Sequence, residues 1–125
     1  MSLDSGATFS PARAGFDPTL PDVVTANWTG CVAGLARFAQ GGGVRGPLLF
    51  STPEQRGVRA NLSLWVSENE GASWGAPRAS LWAGPAAYSD LAQVNATHVG
   101  VVFEGGPRGS GDFAAAIYFA AFSMS

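Results

Sequence analysis

Few side chains in this 125-residue chain can do chemistry, and their types narrow what that chemistry is. There is one histidine, His98, and one cysteine, Cys31. His98 follows the run NAT and reads as a surface residue at a strand start rather than a base or a metal ligand. No cluster of Cys, His and carboxylates has metal-ligand spacing, so no metal or cofactor is expected. The runs GGGVRG and EGGPRGSGD lack the strand-to-helix context of a phosphate cradle and read as loops. What remains is a guanidinium, a phenol and a few carboxylates: Arg59, Tyr88, Glu104, and the glutamates Glu68 and Glu70 of SENEGASW (Ser67–Trp74). A guanidinium fork matches a carboxylate through two parallel charge-assisted bonds, which lysine does not imitate. A phenol, with an ordinary pKa of about 10, needs a base beside it to act as a nucleophile. Each also has a plainer reading: a surface cation on a strand, a core tyrosine near a turn, a strand-end glutamate.

The elements that must position these groups are strands. Glycine is abundant, proline is spread along the length, and short apolar runs alternate with turn signals, which favours an all-β protein. SENEGASW has a counterpart in SLDSGATF (Ser2–Phe9), 65 positions earlier. Both read Ser, any residue, Asp or Asn, any residue, Gly, any residue, Thr or Ser, then an aromatic. The third position, Asp4 or Asn69, offers an acceptor oxygen to its own backbone a couple of residues onward. Gly6 and Gly71 allow positive φ. Phe9 and Trp74 would plug the turn against a sheet, and Thr8 and Ser73 complete the pattern. The two glutamates fall at free positions, so the turn reads as scaffold. A period near that of one four-stranded unit suggests a radial repeat.

From the first turn, FSPARAGF would end one unit. CVAGLARFA, PLLFS, ANLSLWVS and APRASLW then give four strands, and AYSDLAQV, HVGVVFE and FAAAIYFAAF give three of the next. The last run, Phe113–Phe122, reads as a strand buried on both faces, or as a short helix; it is about half of what spans a bilayer. The expected division is 1–20 for the end of one blade, 21–82 for a complete blade and 83–125 for an incomplete one.

The two turns resemble the Asp boxes (BNR repeats) of the sialidase, or neuraminidase, family: six-bladed propellers that release terminal sialic acid from glycoproteins, glycolipids and oligosaccharides. Three further stretches strengthen the resemblance. GPLLFSTPEQRGVRANLSLWVS is similar to a segment in which an arginine grips the substrate carboxylate, which implies that role for Arg59. LWAGPAAYSDL is similar to the segment carrying the family's tyrosine nucleophile, at Tyr88. Sialic acid bears a carboxylate on its anomeric carbon, so a neutral phenol avoids the repulsion an attacking carboxylate would meet, and retention follows from two displacements. VGVVFEGG is similar to a strand whose glutamate orients another arginine, implying that role for Glu104. More weakly, GCVAGLARF resembles a strand in which Val32 and Gly34 stand where the family has glutamine and serine; Cys31 is then a small buried hydrophobe.

The resemblance covers nearly the whole chain but only the last third or so of a sialidase. Two arginines, an acid/base aspartate and the glutamate that activates the tyrosine have no match; Asp22 and Asp90 do not fill those places. The expectation is therefore a partial propeller with antiparallel four-stranded blades, inactive by itself. The alternative is a non-catalytic Asp-box module for glycan or protein binding. Net charge is −2 with no basic stripe, which argues against nucleic acid. No membrane span and no signal peptide are visible. The sequons at Asn27, Asn61 and Asn95 point to the secretory pathway, with a lysosomal or extracellular destination.

Overall fold

The computed structural model describes residues 4–8, 24–25, 28–29, 31–41, 44–54 and 58–125. Among these there is no helix, and the architecture is antiparallel throughout. Two short strands, β1 (Val24–Thr25) and β2 (Trp28–Thr29), pair with each other. The remaining six form one sheet in chain order: β3 (Gly34–Arg37), β4 (Leu48–Pro53), β5 (Ala60–Ser67), β6 (Ala79–Gln93), β7 (His98–Gly105) and β8 (Ala116–Ser123). FSPARAGF, and with it Phe9, lies outside the described residues, as do Ser2, Asp22 and Asn27.

The expected strands around Leu81 and Leu91 prove to be a single 15-residue strand, β6. Its first half pairs with β5, from Leu64↔Ala79 to Ala60↔Pro85; its second half pairs with β7, from Ala86↔Gly105 to Gln93↔Val99. The continuity follows from GP in its middle: Pro85 lacks only an N–H, and its carbonyl still accepts from Gly106 N–H at 3.0 Å. The register slips on both sides of this point, and slips of this kind bend and twist a strand.

That bend folds the sheet back on itself. The hydroxyls of Ser51 on β4 and Ser89 on β6 lie 2.8 Å apart, and Ser89 N–H donates to Val32 O at 3.1 Å. Gly34 permits the approach: a Cβ there would stand 2.7 Å from Ser51 Oγ and 2.9 Å from Asp90 Cα. Between the two halves lies the core of Phe38, Leu49, Leu62 and Leu64 against Leu91, Val99, Val101 and Phe103. Each such side chain stabilises by roughly 1.5–3 kcal/mol when fully buried. On the other face of β5, Trp65 packs on Phe50 at 6.2 Å, and Trp74 closes over Phe50 at 5.7 Å.

The run expected to be buried on both faces is a strand, not a helix, but it starts at Ala116 and is not buried on both faces. Tyr118, Ala120 and Phe122 pack against the core, whereas Ile117 and Phe119 are 67% and 65% exposed. The sheet order explains this. β8 is an edge strand with β7 on one side, and only one of its faces meets the core.

Candidate functional site

Arg59 immediately precedes β5, where Asn61 takes a left-handed backbone (φ 56°) and the pairing with β6 slips. Asparagine tolerates that conformation better than most residues with a side chain. Glu54 N–H donates to Asn61 O at 2.7 Å and Ala86 N–H to Arg59 O at 2.9 Å, so the backbone on both sides of the slip is held. The half-buried Arg59 guanidinium is thereby directed over the Tyr88 ring, its Cζ 4.9 Å from the ring centre. The Phe113 ring lies 4.8 Å from the same carbon.

Tyr88 sits in a β-bulge. Between Ala86↔Gly105 and Ser89↔Phe103, β6 advances three residues while β7 advances two. Ala87 and Tyr88 therefore share one partner position, that of Glu104. A bulge re-aims a side chain that regular alternation would place elsewhere. Here Ala86 and Ala87 are both buried, Tyr88 is 41% exposed, and alternation then resumes with Ser89 and Leu91 inward. Burial pushes the Cys31 thiol up from its ordinary value, while Arg59 draws it down and Glu104 pushes it further up. Both charges are thus felt at Cys31, which is half-buried.

The structure accordingly brings Arg59, Tyr88 and Glu104 to one end of the sheet. A cation that can pair with a carboxylate stands beside an accessible phenol, and a half-buried carboxylate lies across the bulge from it. Among the described residues no group of three His, Cys, Asp or Glu could hold a metal ion. His98 starts β7, and its Nδ1 lies 2.9 Å from Thr97 Oγ1 and 3.2 Å from Asn95 Oδ1, within the turn at the opposite end of that strand from Glu104. The apolar run of the sequence places Phe113 in the last strand; in the structure it lies in the loop before β8, and its contact with Arg59 has no signal in the local pattern.

The two repeated turns have one geometry. Asp4 Oδ1 accepts from Thr8 N–H and Asn69 Oδ1 from Ser73 N–H, each at 2.9 Å. The side chain thus closes over four residues, not a couple. Ser5 and Gly6, like Glu70 and Gly71, are left-handed in succession, and two such residues make the loop tight enough for that reach. Ser67 Oγ accepts from Gly71 N–H at 2.9 Å and donates to Asn69 Oδ1 at 2.9 Å. Trp74 is buried beneath the turn. Glu70, at a position the pattern leaves free, binds Arg37 through both carboxylate oxygens at 2.9 and 2.6 Å. Of the sequons, Asn95 lies in an exposed turn, with Thr97 N–H donating to its Oδ1 at 2.9 Å. Asn61 lies at the β5 slip, and Ser63 of its sequon is buried and donates to Glu54 Oε2 at 3.0 Å.

No protein-family model matches the chain. Among curated proteins, it is similar to the sialidases of two Vibrio cholerae serotype O1 strains, classical Ogawa and El Tor Inaba. Each is 32% identical over 108 residues, which is 83% of this chain and 13% of the relative.

Proposed function

Since most of this chain is a distant homologue of a stretch of sialidase, we propose that it forms part of a six-bladed propeller of that family and carries one side of its glycan site. The observation that carries this reading is the Arg59 guanidinium 4.9 Å from the centre of the Tyr88 ring, with Glu104 across the bulge. In the reading, Arg59 binds the sialate carboxylate in two parallel bonds. Tyr88 loses its proton to a base and attacks the anomeric carbon as the glycosidic oxygen leaves with a proton. Water then displaces the tyrosyl oxygen, and the configuration is retained. Glu104 holds another arginine of the site in one rotamer.

The chain spans 13% of the length of the relatives it matches. In this reading the acid, the base and the further arginines are supplied by other parts of the propeller. Residues 1–20, 21–82 and 83–125 are proposed as the end of one blade, a four-stranded blade and part of the next, with Asp boxes at Asp4 and Asn69. The change of partner within β6 supports a boundary near Pro85.

Titration of N-acetylneuraminate into the chain, followed by amide NMR, tests the site. The expected result is weak, saturable shifts at Tyr88 and Glu104, reduced roughly tenfold in affinity by Arg59→Lys and little affected by Tyr88→Phe. Shifts absent from these residues at saturating ligand would overturn it. In a longer polypeptide carrying the chain, Tyr88→Phe is expected to lower release of a fluorogenic sialoside by at least ~10³-fold. Binding without turnover there would instead favour a non-catalytic glycan-binding propeller.

A further inference from the structure

The N-x-S/T triplets have no part in the chemistry proposed above, and two of them, at Asn61 and Asn95, lie among the described residues. They are folded in opposite ways. Asn61, Leu62 and Ser63 belong to β5, which is paired with β4 on one side and β6 on the other. Leu62 and Ser63 are fully buried, and the Ser63 hydroxyl is bonded to Glu54 Oε2. Asn61 itself is half-buried on a left-handed backbone. An enzyme that reads all three residues reaches them only after β5 has left the sheet.

Asn95, Ala96 and Thr97 are instead exposed together in the turn between β6 and β7. Thr97 donates to Asn95 Oδ1 twice, from its N–H at 2.9 Å and from its hydroxyl at 3.1 Å. The carboxamide is thus held by its oxygen, while its Nδ2 makes no hydrogen bond to the described residues. The nitrogen that would be modified and the hydroxyl that defines the triplet are presented side by side, with nothing to unfold first. We propose that Asn95 is an N-glycosylation site of the folded chain and that Asn61 is not one. The donor is an oligosaccharide carried on a lipid pyrophosphate. Asn95 Nδ2 bonds to the anomeric carbon as its bond to the pyrophosphate oxygen breaks. The lipid pyrophosphate leaves with the electron pair, and one amide proton passes to a base of the transferring enzyme. Asn95 lies at the far end of β7 from Glu104, about six residues and so roughly 20 Å along the strand, and a glycan there leaves Tyr88 uncovered. The proposal stands whether or not the sialidase reading holds.

The test gives the folded full chain to a purified oligosaccharyltransferase with a lipid-linked oligosaccharide, and follows each site by peptide mass spectrometry. Asn95 should be modified at least roughly tenfold faster than Asn61, whose rate is scaled down to the fraction of molecules in which β5 has opened. Leu62→Ala loosens β5 and should raise the Asn61 rate several-fold, with Asn95 unchanged, whether the variant is merely destabilised or unfolded. Equal rates at the two sites in the folded parent would overturn the proposal. So would an unmodified Asn95 under conditions that modify a short control peptide.

Discussion

Arg59, Glu104 and Cys31 come from three distant parts of the sequence, and the thiol reports on the other two. Burial alone keeps Cys31 protonated above its ordinary value, Arg59 opposes that, and Glu104 adds to it. At pH 8.5 its alkylation by iodoacetamide should therefore be slower than that of a small free thiol. Glu104→Gln should accelerate the reaction and Arg59→Gln should slow it, each by roughly a few fold. Equal rates in all three proteins would mean that the charges are not where the structure puts them. The pair Arg37–Glu70 makes a second test. Its hydrogen bonds to Arg37, above all, hold the Glu70 carboxyl below its ordinary value, helped by the charges of Arg37 and Arg45 and opposed by desolvation. The native carboxyl thus binds protons less readily than the unfolded one. Its stabilisation is present above the unfolded pKa of about 4.3 and is lost as pH falls through the lower native value. Thermal melts should show Glu70→Gln slightly less stable at pH 7, with the gap closing toward pH 3 and narrowing in salt, as for an exposed pair. The sequence showed which residue types could pair with a carboxylate. It did not show Glu70 at work, because ion pairs across a sheet follow register rather than a motif.

At the scale of elements, β5 was legible to the residue, since ANLSLWVS has turn signals on both sides and an apolar centre. β6 was not, because GP reads locally as an interruption, whereas the paired strands on both sides carry the chain through it. The same limit hid the bulge at Tyr88: an extra residue appears only when two strands are aligned. Gly34 shows what an element boundary can demand. Alanine there would meet the backbone of Asp90, which does not move aside, and should cost about 1–3 kcal/mol in urea denaturation. Gly100 is the comparison. A Cβ at that position would approach Phe119 Cε2 at 2.8 Å and Val94 Cγ2 at 2.9 Å, both ends of exposed side chains that can rotate. Gly100→Ala should cost less than about 1 kcal/mol. A larger loss at Gly100 than at Gly34 would refute the account of how the sheet closes on itself.

In the molecule as a whole, the two faces of β7 and β8 have opposite fates. On one face Phe103, Tyr118 and Trp82 stack, with centroids 4.8 Å apart for Trp82 and Tyr118 and 5.6 Å for Phe103 and Tyr118. On the other, Val102 pairs across the strands with Phe119, and both are exposed beside Ile117. Strand order was readable because neighbours in sequence are neighbours in the sheet. Which face would be covered was not, since FAAAIYFAAF is apolar at nearly every position and covering depends on what packs beside it. The two faces should answer differently to truncation. Tyr118→Ala removes a stacked ring and should cost about 2–3 kcal/mol. Phe119→Thr leaves the core untouched and should stay within about 0.5 kcal/mol of the parent. An exposed apolar stripe binds hydrophobic dyes and promotes association. The same Phe119→Thr should therefore lower anilinonaphthalene sulfonate fluorescence and shift sedimentation toward a single small species. A change in stability with no change in dye binding or sedimentation would mean that Phe119 belongs to the packed interior instead.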